Sequence, residues 1–390
     1  MVGFLVAFLL GVCLIYSQHC LIKSNCPFSS KTTTATDSID KSNVADKEEP
    51  RKSPSLDEAN RHFPPLPFDI WTRQEENKFL FLHVGKAGGS TIFCNFVVPR
   101  LEEFKSDVNF WCRNMKPATA EEMANPPVYS QKYGKRLHMT KMDDDTVTQY
   151  NAFLVSLRNP ITRIISAYDY EKSNKNRWVQ KSYPAFKQCF PNSVLISDLL
   201  LCMDENITSA TYNMCGMNSS AYCRQLGAKA VKGEIESYRS HMTYNYQFYE
   251  DQFLYAVNSN KTNTNTTNTT TTTNHRMLAL RIEHLEEDLE NLEIFLKTGK
   301  VVVANNTGIY TAVVSAERAK NRINVGRSKT GSITSTAYRI LCQLLCKDIQ
   351  SYKRFLFRAE NLNKEMILDS MQDLFKYCPT EGLAINEDCE

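Results

Sequence analysis

The sequence predicts an α/β protein with a parallel sheet flanked by helices, and two segments carry that prediction. In each segment an apolar run, at 79–82 and at 153–157, ends in a polar loop and continues into an amphipathic helix. A third step, from a strand at 277–282 into a helix at 284–297, repeats the pattern. Further helices are predicted to end near Val257 and to span 334–357. Strands that alternate with helices are typical of parallel sheets with both faces covered. A chain of 390 residues with 42% hydrophobic residues is sufficient for such a core.

The first segment joins a strand to a glycine-rich loop and a helix predicted over 90–104. The loop consists of Gly85, Lys86, Ala87, Gly88, Gly89, Ser90 and Thr91. Glycines let backbone N–H groups approach an anion, and a helix N-terminus favours negative charge. Lys86 adds a positive charge, and the two hydroxyls add donors. The pattern predicts an anion-binding loop, although an ordinary strand-to-helix turn with a solvated lysine has the same sequence features.

This loop departs from the phosphate loop of nucleotide kinases. A Walker A motif places its lysine directly after the last glycine, whereas Lys86 precedes the pair Gly88-Gly89. A nucleotide kinase with an atypical loop therefore stays only as an alternative.

The second segment joins the strand at 153–157 to a helix at 160–173. Pro160 suits the first turn of a helix, and an apolar stripe formed by Ile161, Ile164, Ile165 and Tyr168 faces the core. Arg158 ends the strand, at the edge where open α/β sheets bind ligands. Ser166 lies two turns along the helix, and Arg163 is expected to be a solvated charge.

Together the two segments resemble the sulfotransferase superfamily, with a 5′-phosphosulfate loop at 85–91 and a 3′-phosphate signature from Arg158 onward. The likeness is greatest to Golgi membrane-bound carbohydrate sulfotransferases of the heparan sulfate 2-O and uronyl 2-O type. The stretches 280–288 and 324–329 are also similar to that family. One departure is Val84-Gly85, which replaces the proline usual before the lysine. The resemblance implies a P-loop-like sulfotransferase fold.

The resemblance also implies a cofactor, 3′-phosphoadenosine 5′-phosphosulfate (PAPS), and no metal. Lys86 and the rest of the glycine-rich loop would bind the phosphosulfate, and Arg158 and Ser166 would hold the 3′-phosphate. A second cofactor-binding segment is implied at Arg327, Ser328 and Lys329, which read equally well as a basic surface loop.

The candidate general base is His138, which lies 20 residues before Arg158, where the 2-O-sulfotransferases place their histidine. Histidine suits proton transfer near neutral pH, although a structural histidine is the alternative. Glu171 and Asp169 are further candidates, but as helix carboxylates they are expected to be solvated.

The chain divides into segments of different composition. Residues 1–22 read as a signal anchor or a cleaved signal peptide, and 23–77 as a flexible lumenal stem. The sulfotransferase domain is predicted over 78–378, with a disordered Asn/Thr-rich insert at 258–275, and 379–390 form a tail. The expected location is the Golgi membrane, as a single-pass type II protein with a lumenal domain, or secretion after cleavage.

Cysteines and glycosylation signals support a lumenal address. The chain has 13 cysteines, and Asn-x-Ser/Thr sequons occur at Asn206, Asn218, Asn260, Asn265, Asn268 and Asn305. Cys189, Cys202, Cys215 and Cys223 suggest disulfides, with a zinc site as the weaker alternative. Cys342 and Cys346 share a helix face and are expected to bond elsewhere rather than to each other.

The resemblance implies a PAPS-dependent sulfotransferase that modifies a carbohydrate hydroxyl, and the cysteines and sequons place it in the secretory lumen. The net charge of +3 gives no indication of nucleic-acid binding. A membrane-tethered glycan-binding protein without turnover is the non-enzymatic alternative. The acceptor sugar and the oligomeric state stay open.

Overall fold

A computed structural model describes residues 78–97, 124, 133–150, 152–173, 188–190, 196–203, 221–234, 240–262, 275–301, 333–379 and 389. The predicted signal anchor and stem, most of the Asn/Thr-rich insert, most of the tail, and Arg327, Ser328 and Lys329 lie outside these residues. Within the described ranges, no helix is both long and apolar enough to cross a membrane.

The described strands form a parallel sheet in the order β2-β1-β3-β4. They are β1 (Phe79–Leu82), β2 (Tyr133–Leu137), β3 (Ala152–Leu157) and β4 (Arg276–Arg281). In register, Leu82 of β1 lies between Leu137 of β2 and Val155 of β3. The predicted parallel α/β architecture is therefore confirmed.

Helices cover both faces of this sheet. They are α1 (Gly89–Val97), α2 (Asp144–Gln149), α3 (Pro160–Ser173), α4 (Ile196–Leu201), α5 (Ala221–Lys232), α6 (Tyr246–Thr262), α7 (Leu285–Thr298), α8 (Ser335–Leu344), α9 (Cys346–Arg358) and α10 (Lys364–Phe375). Alternate strand residues enter two separate cores: Leu80 packs with α3, α6 and α9, whereas Phe79 packs with α1 and α7. Strands β1 and β3 are fully buried, which explains why each is a nearly continuous apolar run, whereas the middle of the edge strand β2 is partly exposed and polar.

The helices predicted over 160–173 and 284–297 are observed as α3 and α7, and α1 confirms the part of the helix predicted over 90–104 that lies within the described residues. Two other helices differ from the predictions. The predicted helix at 334–357 is divided into α8 and α9 at Leu345, although the backbone bonds from Leu345 N to Leu341 O and from Ile349 N to Leu345 O span the break. The helix expected to end near Val257 continues to Thr262, so the first residues of the insert predicted over 258–275 are helical. Asparagine and threonine have low helix propensity, yet helical bonds already in place extend a helix at little cost.

Three disulfides join described cysteines, namely Cys189–Cys223, Cys342–Cys378 and Cys346–Cys389. The expectation that Cys342 and Cys346 bond elsewhere is confirmed. Each of these two bonds ties the α8–α9 pair to the C-terminal part of the chain, where it restricts the unfolded state.

The strand order defines where a ligand can bind. Strand β2 lies on one side of β1, and strand β3, which follows β2 in the chain, lies on the other side of β1. The direction in which strands are added therefore reverses between β1 and β3. In open parallel sheets the crevice at such a reversal, outside the carboxyl ends of the strands, is the usual ligand site. We call this border of the sheet the carboxyl edge.

Candidate active site

The carboxyl edge brings together the residues predicted from three separate parts of the sequence. The glycine-rich loop follows β1, His138 follows β2 and Arg158 follows β3. Because β1 is hydrogen-bonded to both neighbours, the three segments leave adjacent strands.

Hydrogen bonds divide the loop into an anchored part and a part that presents donors. Gly85 N–H donates to Tyr244 O and Ala87 N–H donates to Val84 O, so these two groups serve the fold. The first intrahelical bond of α1 runs from Ile92 N to Gly88 O. The N–H groups at 89–91, in the first turn of α1, therefore have no acceptor within the helix. These are the loop positions suited to an anion.

Lys86 has an unusual backbone conformation that is held in place by its carbonyl and its side chain. Its φ of 64° is in the left-handed region, which costs a non-glycine residue about 1 kcal/mol or more. Arg158 Nη1 donates to Lys86 O at 3.1 Å. The Lys86 ammonium lies over the Tyr170 ring, 4.1 Å from its centroid, in a cation–π contact. These contacts hold the loop in place at Lys86.

The glycines of the loop are required by close packing beneath it. A Cβ on Gly85 would lie 2.9 Å from three atoms of His241, and a Cβ on Gly89 would overlap the His83 ring at 1.7 Å. Two histidines therefore form the floor of the loop, and a larger residue at either glycine would displace it.

Arg158 connects the loop to the start of α3. Its Nε donates to Thr162 Oγ1 at 3.1 Å, and its backbone N–H and carbonyl both bond to the Tyr246 hydroxyl at 2.7 Å. Burial raises the pKa of the Tyr246 hydroxyl, so that group stays protonated and able to donate. The guanidinium is thereby fixed beside the loop.

Ser166 lies on the same face of α3 as two residues that contact the site. Thr162, Ser166 and Tyr170 are spaced four residues apart, and all three are half-buried. Thr162 accepts from Arg158, and Tyr170 lies under Lys86. Ser166 thus lies on this helix face between the residue that contacts Arg158 and the residue that contacts Lys86.

The residue after Arg158 fixes the start of α3. Asn159 Oδ1 accepts from Ile161 N at 3.0 Å, and its Nδ2 donates to Asp373 at 2.9 Å. Its backbone N–H donates to Glu283, which follows β4. Glu283 is an exposed residue, and its carboxyl interacts with the Arg158 charge. This carboxyl limits the positive potential around Arg158.

Arg163 is not the solvated charge that its sequence position suggested. It is fully buried, and its Nη2 pairs with Asp348 of α9 at 2.8 Å. Its Nη1 donates to His241 O at 3.1 Å and approaches Gly85 O at 3.5 Å. Arg163 is a buried link between the loop, the segment before α6 and helix α9. Its partner is far along the chain, so local spacing gave no signal of the pair.

His138 lies half-buried at the end of β2 with a defined hydrogen-bond partner. Its Nδ1 is 3.3 Å from His83 O, and since a carbonyl only accepts, Nδ1–H is the donor. The basic lone pair of the neutral ring is then on Nε2. Tyr249 steadies both sides of this contact: its hydroxyl donates to His83 O and accepts from Met139 N. These contacts fix the orientation of the His138 ring.

His83 is a buried neutral neighbour of His138. The two rings stack with centroids 4.0 Å apart. Burial lowers the pKa of His83 well below its ordinary value, and the charges at His138, Arg136 and His241 act in the same direction. His83 therefore does not compete for a proton at neutral pH.

Glu171 was expected to be a solvated helix carboxylate, and the structure shows otherwise. It is fully buried, and its Oε1 accepts from His241 N at 3.0 Å and from His241 Nδ1 at 2.8 Å. Sequence reasoning missed His241 altogether. One signal was present: Glu171 continues the apolar stripe of α3 three residues after Tyr168.

Comparison with known proteins identifies the family of this chain. The model of the Sulfotransferase family matches residues 70–353. The chain belongs to the Sulfotransferase family. Comparisons with curated proteins and with solved structures find no significant match.

Family membership assigns the reaction class to the site. The protein is a sulfotransferase, an enzyme that transfers a sulfuryl group to an acceptor, and members of the family generally use PAPS as the donor. The alternatives of a nucleotide kinase and of a binding protein without turnover give way to this assignment. Among the described residues, no group of three or more His, Cys, Asp or Glu side chains is arranged to hold a metal ion.

Proposed function

We propose that this sulfotransferase transfers a sulfuryl group from PAPS to a hydroxyl of a carbohydrate in the lumen of the Golgi. The observation that carries the proposal is the convergence of an anion-binding helix start, a lysine, an arginine and an oriented histidine on adjacent strand ends. The resemblance of these same segments to the heparan sulfate 2-O type favours a glycan acceptor.

The donor set of the site fits a molecule with two separated anionic groups. At the start of α1, the N–H groups at 89–91, the Ser90 hydroxyl and Lys86 offer several donors to one anion. Arg158 is offset from them on the next strand, and a guanidinium grips phosphate in a bidentate manner. PAPS carries a phosphosulfate and a 3′-phosphate, and when bound it supplies the activated sulfuryl group.

Each residue of the chain then has a defined task. The helix start and Ser90 hold the phosphosulfate, and the Lys86 ammonium offsets negative charge that develops beside it. Arg158 and Ser166 hold the 3′-phosphate. His138 Nε2 accepts the proton of the acceptor hydroxyl, while its Nδ1–H stays on His83 O. Arg327, Ser328 and Lys329 stay proposed as further cofactor contacts outside the described residues.

The lumenal location is part of the proposal and is supported by two features of the chain. Disulfides such as Cys342–Cys378 persist in oxidising compartments and are rare in cytosolic proteins. Sequons such as Asn206 are acceptors for glycosylation in the secretory pathway. We propose that residues 1–22 anchor the protein in the membrane.

The acceptor class is tested directly with the full-length enzyme and a PAPS donor that carries a radioactive sulfuryl group. The panel contains desulfated heparan, chondroitin and dermatan polysaccharides, a galactose oligosaccharide and a tyrosine peptide. Label is expected in a polysaccharide and is expected to be released as a labelled disaccharide by the matching lyase. Label confined to the tyrosine peptide would contradict the carbohydrate proposal.

Arg158→Ala is expected to erase the preference of the enzyme for a nucleotide with a 3′-phosphate. Wild type should bind 3′,5′-bisphosphoadenosine about tenfold or more tightly than AMP, because a charged contact contributes roughly 1.5–3 kcal/mol. Calorimetry of both nucleotides, with a chelator present, gives the affinity ratio for the wild type and the variant.

Arg276→Ala is the matched control for this measurement. Arg276 is the first residue of β4, at the opposite edge of the sheet, where its guanidinium pairs with Glu360. Its loss should leave the affinity ratio unchanged. Since Arg158 also holds Lys86 O, AMP affinity reports whether the loop is intact. Equal affinity of wild type for the two nucleotides would refute the PAPS site.

A further inference from the structure

The least expected feature of the active site is a buried carboxylate on the histidine that lies under the loop. Glu171 has no exposed surface, and a single oxygen accepts both the ring N–H and the backbone N–H of His241. With Nδ1–H donating to Glu171, the lone pair of the neutral His241 ring is on Nε2.

The His241 ring lies next to the proposed base, to the ring beneath Lys86 and to the glycine-rich loop. Its centroid is 5.7 Å from that of His138. The Tyr170 ring, which carries the Lys86 ammonium on its face, meets His241 edge-on at 4.9 Å. His241 also packs directly against the position where a Cβ of Gly85 would be.

A buried charge of this kind is expensive for the fold. Removing a carboxylate from water costs several kcal/mol unless hydrogen bonds and a nearby positive charge compensate for it. The two hydrogen bonds from His241 need only an oxygen acceptor, which a neutral amide would also supply. A carboxylate at this position can in addition carry a negative charge, which an amide could not.

We propose that Glu171 and His241 form a positioning pair for proton transfer, which holds the His138 ring in place and offsets the positive charge that His138 gains. This inference rests on the proposed function of His138 as the base. The acceptor O–H bond breaks with its proton going to His138 Nε2, and the oxygen forms the new bond to sulfur. The bond from sulfur to the donor phosphate oxygen breaks, and its electron pair leaves on that oxygen.

Among the groups named below, Glu171 is the one that can carry a negative charge beside the His138 and His241 rings. The charged and titratable groups around them are Tyr170, Glu171 and Arg163 of α3, His83 and Lys86 beside β1, Arg136 of β2 and Tyr249 of α6. Arg163 is already paired with Asp348, and the pKa of His83 is lowered by burial so that this ring is neutral. A proton added to His138 thus enters a region with further positive charges, which Glu171 counteracts.

The test compares wild type with Glu171→Gln, which keeps an oxygen for both His241 hydrogen bonds and removes the charge. Without that charge a protonated His138 is less favourable, so the acid limb of the kcat/KM profile should move to lower pH. The expected displacement is about 0.5 pH unit or more. Glu171→Asp keeps the charge and should leave the limb near its wild-type position. A purely structural pair would lower activity equally at all pH values and leave the limb unmoved.

His275→Asn is the control for loss of a buried polar group elsewhere. His275 is buried against Phe153 just before β4, at the opposite edge of the sheet, and its substitution should not move the limb. Carbon-13 spectra of labelled histidines in nucleotide-free enzyme give a second readout. The His138 resonance, assigned by its loss in His138→Gln, should titrate at lower pH in Glu171→Gln.

His241→Asn tests the pair independently if Glu171→Gln does not fold. Asparagine keeps a donor for Glu171 but withdraws the ring from His138, so kcat should fall about tenfold or more. Affinity for 3′,5′-bisphosphoadenosine should stay within about threefold of wild type. An unmoved acid limb in Glu171→Gln, or wild-type kcat in His241→Asn, overturns the inference. Wild-type activity in His138→Ala would instead overturn the role proposed for His138.

Discussion

Lys86→Ala is expected to lower kcat by about 10²–10³, as does the loss of one preorganised donor to a transition state. The lysine is the cation of the glycine-rich loop, and its ammonium is held over Tyr170 next to the helix start. Charge on the oxygen that leaves sulfur grows during transfer, so the lysine acts more strongly on the transition state than on the bound nucleotide. Affinity for 3′,5′-bisphosphoadenosine should therefore weaken less than about tenfold.

Lys78→Ala is a matched control for this variant. Lys78 is the exposed residue directly before β1, at the opposite end of the same strand. It is expected to have wild-type kcat. Alanine tolerates the left-handed backbone of position 86 no better than lysine does, so Lys86→Ala should not change stability through relief of strain. Near-normal turnover in folded Lys86→Ala would refute the assignment of this loop.

Local signals in the sequence were sufficient where structure depends on neighbours along the chain. Helix α3 spans Pro160–Ser173, as predicted. Its start was predictable because proline favours the first helical position, and its course was predictable because the apolar spacing continues without interruption. The loop between β1 and α1 followed in the same way from its glycines, as did the buried strands from their apolar runs. Residues at strand ends share one edge of a parallel sheet, so Lys86 and Arg158 were expected at the same edge. His138 was predicted from the family resemblance alone, because the strand before it, β2, was not predicted.

The buried polar pairs of the site were not accessible to such reasoning. Arg163 pairs with Asp348, which is 185 residues later, and Glu171 pairs with His241, which is 70 residues later. Long-range partners of this kind depend on the packing of α3 against α9 and against the segment before α6. A charged residue on a helix is most often solvated. The spacing of Glu171 on the core-facing stripe was the one local indication that this carboxylate is buried.

His138→Ala is expected to lower kcat by about 10²–10⁴, the usual contribution of a general base. The structure gives the reason: the hydrogen bond from Nδ1 to His83 O leaves Nε2 as the proton acceptor at the carboxyl edge. Affinity for 3′,5′-bisphosphoadenosine should stay within about threefold of wild type, because His138 leaves β2 and the proposed nucleotide contacts leave β1 and β3. Wild-type activity should fall at acid pH as the imidazole is protonated.

Chemical rescue separates loss of a base from loss of structure. Added imidazole should restore part of the kcat of His138→Ala, with a pH dependence that follows free imidazole, because a missing proton acceptor is replaced from solution. His284→Ala is the control, since His284 is also half-buried and its ring pairs with Asp369 beyond β4. That variant should have wild-type activity and no response to imidazole. A folded His138→Ala with undiminished turnover would exclude His138 as the base, and His241, whose Nε2 carries the basic lone pair opposite Glu171, would then be the next residue to test.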